Sequence, residues 1–233
     1  MPRMRSTGSN EATSERAASS GTRRRLMQAA KRQFAARGFE AVTVRDVLTE
    51  AGEKNGASIS YYFGSREGLI YEITAELFSF LDARWSVGLE ELDRLGRPAT
   101  VRELITVAVE TSTAADADGE EPTASRLSEA LTHQRYHVIL QVVKSLRLTA
   151  WERLLMRISQ NLPHIPAAVM RQRLIFLTRY LSSVFALYES SRVSGSERQR
   201  ATLGTGYDLG NVIDTAVGLI SAEVGADWPS RRA

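Results

Sequence analysis

At 233 residues, with 43% hydrophobic and 24% charged positions, the chain has room for one large or two modest globular domains. The absence of cysteine excludes disulfides, thiol nucleophiles and cysteine metal sites and points to a cytoplasmic setting. The net charge of +3 divides unevenly: +1 over residues 1–20, +4 over 21–68 and −2 over the rest. No apolar run approaches the ~18 residues of a membrane span, and the first twenty residues lack the apolar core of a secretory signal.

Few prolines and glycines among many Ala, Leu, Arg and Glu favour an all-α chain. Residues 1–20 are rich in Ser, Thr, Ala and Gly without periodicity and read as a disordered tail carrying Arg3, Arg5 and Arg16. A helix is predicted over about 23–37, with Thr22 as N-cap, Leu26, Ala30 and Phe34 at helical spacing, and Gly38 as its stop. The next helix, about 43–50, opens at Thr43 and sets Val44, Val47 and Leu48 on one side. Ala51-Gly52 then reads as a tight turn, because alanine lets two helices cross closely and glycine accepts a positive φ.

The segment after the turn reads as a third helix. At 100° per residue from Ile59, Phe63, Asn55 and Gly56 fall inward, while Lys54, Ala57, Ser58 and Tyr61 fall outward with Ser60 on the edge. A small, hydrogen-bonding outward face with one aromatic and one cation suits the DNA major groove. There, hydroxyls bond base edges and a recognition helix follows a short turn. The local excess of positive charge lies where phosphate binding requires it.

The residues from Thr22 to Leu69 resemble the DNA-binding domain of the TetR family of bacterial repressors. The likeness is carried by Phe34-x-x-x-Gly38-Phe39, Thr43-Val-Arg-Asp-Val, Ala51-Gly52 and Tyr61-Tyr-Phe-Gly-Ser-Arg-Glu-Gly-Leu69. Between Ala51 and Phe63 the turn is one residue longer than the commonest spacing, within Glu53–Ala57, as in a subgroup of that family. The resemblance implies backbone and base contacts from Thr43 and Arg45, base reading by Ser58, Ser60 and Tyr61, and phosphate contacts from Tyr62 and Arg66. Lys54, from its outward angle, joins the candidates for DNA contact.

A fourth helix, about 65–95 with Ser65 as N-cap, runs through Leu69, Ile70, Ile73, Leu77, Phe78, Leu81 and Trp85 into the second part of the chain. Further helices are predicted near 100–113, 123–133, 136–160, 167–191 and 206–224. An acidic loop at 114–122, a proline turn at 162–166 and a polar loop at 192–205 separate them. The expected organisation is a tail over 1–20, a helix-turn-helix domain over 21–68 and a helical ligand-binding and dimerisation domain over 69–233. The helices at about 167–191 and 206–224 are apolar on more than one side, which calls for a second copy of the chain. The resembled family dimerises through such a four-helix interface.

No phosphate loop, nucleophile elbow or dinucleotide fingerprint with a preceding strand is present. His133 and His137, four residues apart with Glu129 a turn earlier, lack a fourth metal ligand. No metal, cofactor or catalytic activity is expected. The expectation is a homodimeric regulator, a repressor leaving a palindromic operator when a small apolar molecule binds among Phe78, Trp85, Tyr136, Trp151, Phe176 and Tyr180. Two alternatives remain: a DNA-binding regulator without a small-molecule trigger, and a helical small-molecule binder or enzyme whose DNA-binding domain is vestigial. The sequence names neither effector nor operator.

Overall fold

The computed structural model describes residues 8–114, 123–194, 197 and 208–225. Its elements are α1 (Gly8–Arg37), α2 (Val44–Glu50), α3 (Ser58–Phe63), α4 (Arg66–Asp93), α5 (Val101–Ala114), α6 (Ala124–Gln134), α7 (Tyr136–Leu146), α8 (Ala150–Gln160), α9 (Ala167–Ser194) and α10 (Leu209–Ser221). No strand occurs among the described residues. The chain divides into two compact units, Met1–Ile73 and Thr74–Ala233, with the boundary inside α4.

In the first unit Leu26, Ala29, Ala30 and Phe34 of α1 meet Val47 of α2, Ile59 of α3 and Leu69, Ile70 and Ile73 of α4 in one apolar core. Phe39, just past α1, folds back so that its ring stacks on Phe34 at 4.6 Å. Each fully buried side chain of this size contributes roughly 1.5–3 kcal/mol of transfer free energy. The α3–α4 corner is tight: Ser65 Oγ accepts from the Gly68 N–H at 3.0 Å, and a Cβ on Gly68 would sit 2.0 Å from the Phe63 carbonyl oxygen.

Helix α1 begins at Gly8, so it covers most of the stretch whose composition suggested a disordered tail. Propagating a helix costs far less than nucleating one, and Glu11, Ala12, Glu15, Arg16, Ala17 and Ala18 are all good helix formers. Arg3 and Arg5 lie outside the described residues, as do most of the acidic and polar loops.

In the second unit α6 and α10 pack on α9, α10 also packs on α5, and α5 packs on α8. The core runs through Leu81 and Leu89 of α4, Leu104 and Ile105 of α5, Leu127 and Leu131 of α6, Val142 of α7, Leu154 and Ile158 of α8, Leu177 and Phe185 of α9 and Ile220 of α10. The helix expected over 136–160 is two helices. Arg147 takes the left-handed conformation (φ 54°), the Leu148 N–H closes on the Val143 carbonyl at 3.0 Å, and α8 restarts at Ala150. Asp82 of α4 accepts from the Ala150 N–H at 2.8 Å and so caps that restart. His133 lies in the last turn of α6 and His137 in the first turn of α7, so they do not share a helix face.

The second unit also buries one carboxylate completely. Glu189 of α9 is 0% exposed and accepts from the Ser125 N–H at 2.8 Å, the Arg126 N–H at 3.3 Å and Arg126 Nε at 2.7 Å. It therefore caps the N-terminus of α6 from another helix, where the helix dipole favours a negative group. Removing a buried partner of this kind costs about 3–5 kcal/mol. Glu189→Ala is expected to lower the unfolding free energy by that amount in a denaturant titration; an unchanged midpoint would show that the cap carries no stability.

Candidate nucleic-acid interface and internal cavity

Helix α2 starts with a reciprocal cap. The Asp46 N–H donates to Thr43 Oγ1 at 3.2 Å, and Asp46 Oδ2 accepts from the Thr43 N–H at 2.8 Å and its hydroxyl at 2.7 Å. The Thr43 N–H, then its hydroxyl, hold the Asp46 carboxyl below its ordinary value. Thr43 is thus exposed but engaged, its side chain spent on starting the helix. The helix ends at Ala51; Gly52 takes φ 69° and the Glu53 N–H returns to the Leu48 carbonyl at 2.9 Å.

Lys54–Ala57 form the turn. Asn55 Oδ1 accepts from the Ala57 N–H at 3.0 Å, and the Ser58 N–H reaches the Asn55 carbonyl at 3.1 Å. Only Ser58–Phe63 are helical. A wheel drawn through the turn therefore misplaces its residues: Asn55 and Gly56, expected inward, are exposed. Ser58, expected to read bases, is 5% exposed and belongs to the inner side with Ile59 and Phe63. Ser60 is exposed, Tyr61 is 78% exposed, and Tyr62 is half-buried with its ring edge-on to Tyr61 at 4.8 Å. The outer side of this short helix thus carries one exposed aromatic ring and the hydroxyls of Ser60 and Tyr61.

Most cations here are already committed inside the unit. Arg23 pairs with Glu72, Arg25 with Glu53 at 2.5 Å, Arg32 with Glu50 at 2.6 Å and Arg37 with Asp46 at 3.7 Å. Arg66, expected to hold phosphate, turns inward. Its Nη2 donates to the Phe39 carbonyl and to the Val42 carbonyl at 3.3 Å, and its guanidinium lies 5.7 Å from the Phe34 ring centre. It is a staple between the start of α4 and the α1–α2 loop, because those carbonyls follow the end of α1 and lack helical partners. Arg45 and Lys54 are exposed and make no ion pair with a described residue; nor does Arg24, which sequence reasoning passed over. Which cations stay unpaired depends on helices distant in sequence, so no local signal marks Arg24.

Residues 26–73 match the model of the bacterial regulatory proteins of the tetR family. The family match is carried by this segment. Over 88 residues it is 36% identical to the HTH-type transcriptional dual regulator CecR of Shigella flexneri, an overlap of 36% of this chain and 39% of CecR. The chain thus matches about two fifths of the length of that curated relative. A TetR family transcription regulator from Marinobacter aquaeolei VT8 shares the fold at a TM-score of 0.54 and 16% identity, over 88% of this chain and 97% of the other. The multidrug binding protein EbrR, solved with imidazole, superposes at 0.42 with 18% identity over the same shares.

The second unit contains a cavity of about 460 Å³. Leu77, Phe78, Leu81 and Trp85 of α4 form one wall, with Tyr136 and Ile139 of α7, Trp151 of α8 and Leu174, Leu181 and Phe185 of α9 around it. The Trp85 and Trp151 rings lie 4.8 Å apart. Four of the six residues expected to line a ligand site, Phe78, Trp85, Tyr136 and Trp151, are brought together here. Phe176 and Tyr180 are not. At 100° per residue they lie on the side of α9 opposite Leu181 and Phe185. Phe176 is 55% exposed, and Tyr180 donates to the Val212 carbonyl of α10 at 3.5 Å. Aromatic character alone marked them; only the rotation of α9 on α6 tells cavity from surface. No cluster of His, Asp or Glu suited to a metal occurs among the described residues.

The two classes of cation separate in solution. Arg45→Ala and Lys54→Ala are each expected to weaken DNA binding on all sequences alike and to flatten the salt dependence by about one per bound protomer. Arg66→Ala is expected instead to lower the melting temperature, since it removes the part-buried hydrogen bonds that tie the start of α4 to the α1–α2 loop, at about 1 kcal/mol or more. A flattened salt slope with an unchanged melting temperature for Arg66→Ala would restore it to the phosphate contacts.

Proposed function

We propose that the chain is a cytoplasmic, sequence-specific DNA-binding transcriptional regulator without enzymatic activity. It acts as a homodimeric repressor released from a palindromic operator by a small, largely apolar ligand. Residues 21–68 read DNA and residues 69–233 bind ligand and partner. The observation that carries this reading is Tyr61, held 78% exposed on a helix whose last aromatic, Phe63, anchors the core. The Tyr61 ring lies edge-on to Tyr62 at 4.8 Å and so presents a flat aromatic face and a hydroxyl to a groove. Ser60 beside it and Arg45 and Lys54 around it supply base-edge and phosphate contacts.

A second copy fits the outer side of α9. Phe176, Tyr180, Ser183 and Leu187 fall within about 60° of one another, and Phe176 and Leu187 are exposed. Joined to its two-fold mate, that strip extends a hydrophobic contact and doubles the reading helix, so the operator has two half-sites. The cavity favours a small-molecule trigger over control by abundance alone, because its volume lies in the drug-sized range. Since α4 supplies cavity residues and also Leu69, Ile70 and Ile73 of the DNA-binding core, an occupant that prefers one position of α4 shifts the DNA-binding equilibrium.

Purified protein is expected to protect a discrete, two-fold symmetric site near its own gene in a footprint. Tyr61→Ala weakens that site by about 1–3 kcal/mol while leaving random DNA nearly unaffected; equal losses on both would remove Tyr61 from base reading. Phe176→Glu is expected to give monomers at micromolar concentration in sedimentation and to weaken the operator complex. Intact dimers of that variant would move the interface elsewhere.

A further inference from the structure

The polar groups that line the cavity divide by whether the protein has already used them. Ser112, Thr178 and Ser182 donate their hydroxyls to carbonyls of their own helices. Asp82 accepts from the Ala150 N–H, and Glu152 is exposed in the first turn of α8, so both carboxylates lie at the positive end of that helix.

The hydroxyls of α6 are unspent. Ser125, Ser128 and Thr132 all line the cavity, and their spacing of three and four residues sets them within about 60° on one helix face. None of the three hydroxyls makes a hydrogen bond with a described residue, yet none is fully occluded. Ser125 and Thr132 are only 6% and 5% exposed, so what stays open to them is the cavity they line.

Arg179 of α9 is the other group with capacity to spare. Its Nη1 donates to the Thr132 carbonyl at 2.5 Å, and its guanidinium stands 6.0 Å from the Tyr136 ring centre, so two cavity-lining residues bracket it. It pairs with no carboxylate among the described residues, and that one bond uses one of its five N–H donors. Resting on the ligand-triggered reading above, we infer that the occupant is an organic acid with an apolar body. Arg179 takes its carboxylate, the Thr132 and Ser128 hydroxyls add donors beside it, and the apolar body lies against Leu81, Trp85, Trp151 and Phe185. A guanidinium matches a carboxylate with two parallel N–H···O bonds, and such charge-assisted bonds are roughly twice as strong as neutral ones. A part-buried cation among neutral hydroxyls lacks a counter-charge, and this occupant supplies it. A cationic occupant would meet Arg179 instead, and the carboxylates that could hold it already have the N-terminus of α8.

The test uses matched probes on the full chain: 2-naphthoate, 2-naphthamide and 2-naphthylmethylammonium with a flat body, and decanoate, decanamide and decylammonium with a flexible one. Affinities come from calorimetric titration, with operator release followed in parallel. In at least one series the carboxylate is expected to bind about ten-fold or more tighter than its amide and its ammonium counterpart, as bonds to a charged group imply. In Arg179→Gln the amide should retain its affinity, which shows the cavity intact, while the carboxylate loses its advantage. Where Arg179→Gln does not fold, the ranking in the unaltered protein decides. Equal binding of carboxylate and amide in both series, a carboxylate preference that survives in Arg179→Gln, or an ammonium probe binding best, overturns the organic-acid inference and leaves the cavity a ligand site. Failure of all six probes to bind overturns both the inference and the ligand trigger. The expected ranking without operator release sustains the inference and sinks the trigger alone.

Discussion

The second unit depends on capping between helices. Helices α6, α7 and α8 have 11 residues each, too short to be stable alone, and every helix end exposes four unpaired donors or acceptors. Glu189 of α9 closes the N-terminus of α6, Asp82 of α4 closes that of α8, and Arg173 of α9 donates to the Ile220 carbonyl at the end of α10 at 3.0 Å. In these three contacts carboxylates stand at positive helix ends and a guanidinium at a negative one. Lost singly, each such bond strands a part-buried polar group at roughly 1–3 kcal/mol, a large share of a domain's net stability.

The same device gives the cavity its shape. Glu189 and Arg179 lie ten residues apart on α9, a rise of about 15 Å, and they grip the two ends of α6, whose 11 residues span about the same length. Helix α6 is thereby fixed antiparallel to α9 and cannot slide along it. Apolar packing has no direction and tolerates a shift of one turn; a charge at each end does not. A wall held in register by its ends can stand beside an empty volume without collapsing into it, which suits a site that must fill and empty.

Legibility in the sequence followed the range of the interactions. Features decided within four residues were readable: the Thr43 cap, the positive φ at Gly52, the core stripe of α1 and the proline turn before α9. Features decided by distant partners were not. The break at Arg147 depends on Asp82 capping the restart from 68 residues away. Arg66 looked like a phosphate ligand because nothing local shows that the Phe39 and Val42 carbonyls lie within its reach. Ser58 is a different case: the wheel sets it one 100° step from Ile59 inside α3, yet as the first helical residue it is buried. Phe176 and Tyr180 were expected at the ligand site from their aromatic type, but the face of α9 they occupy is a property of its packing on α6 and α10.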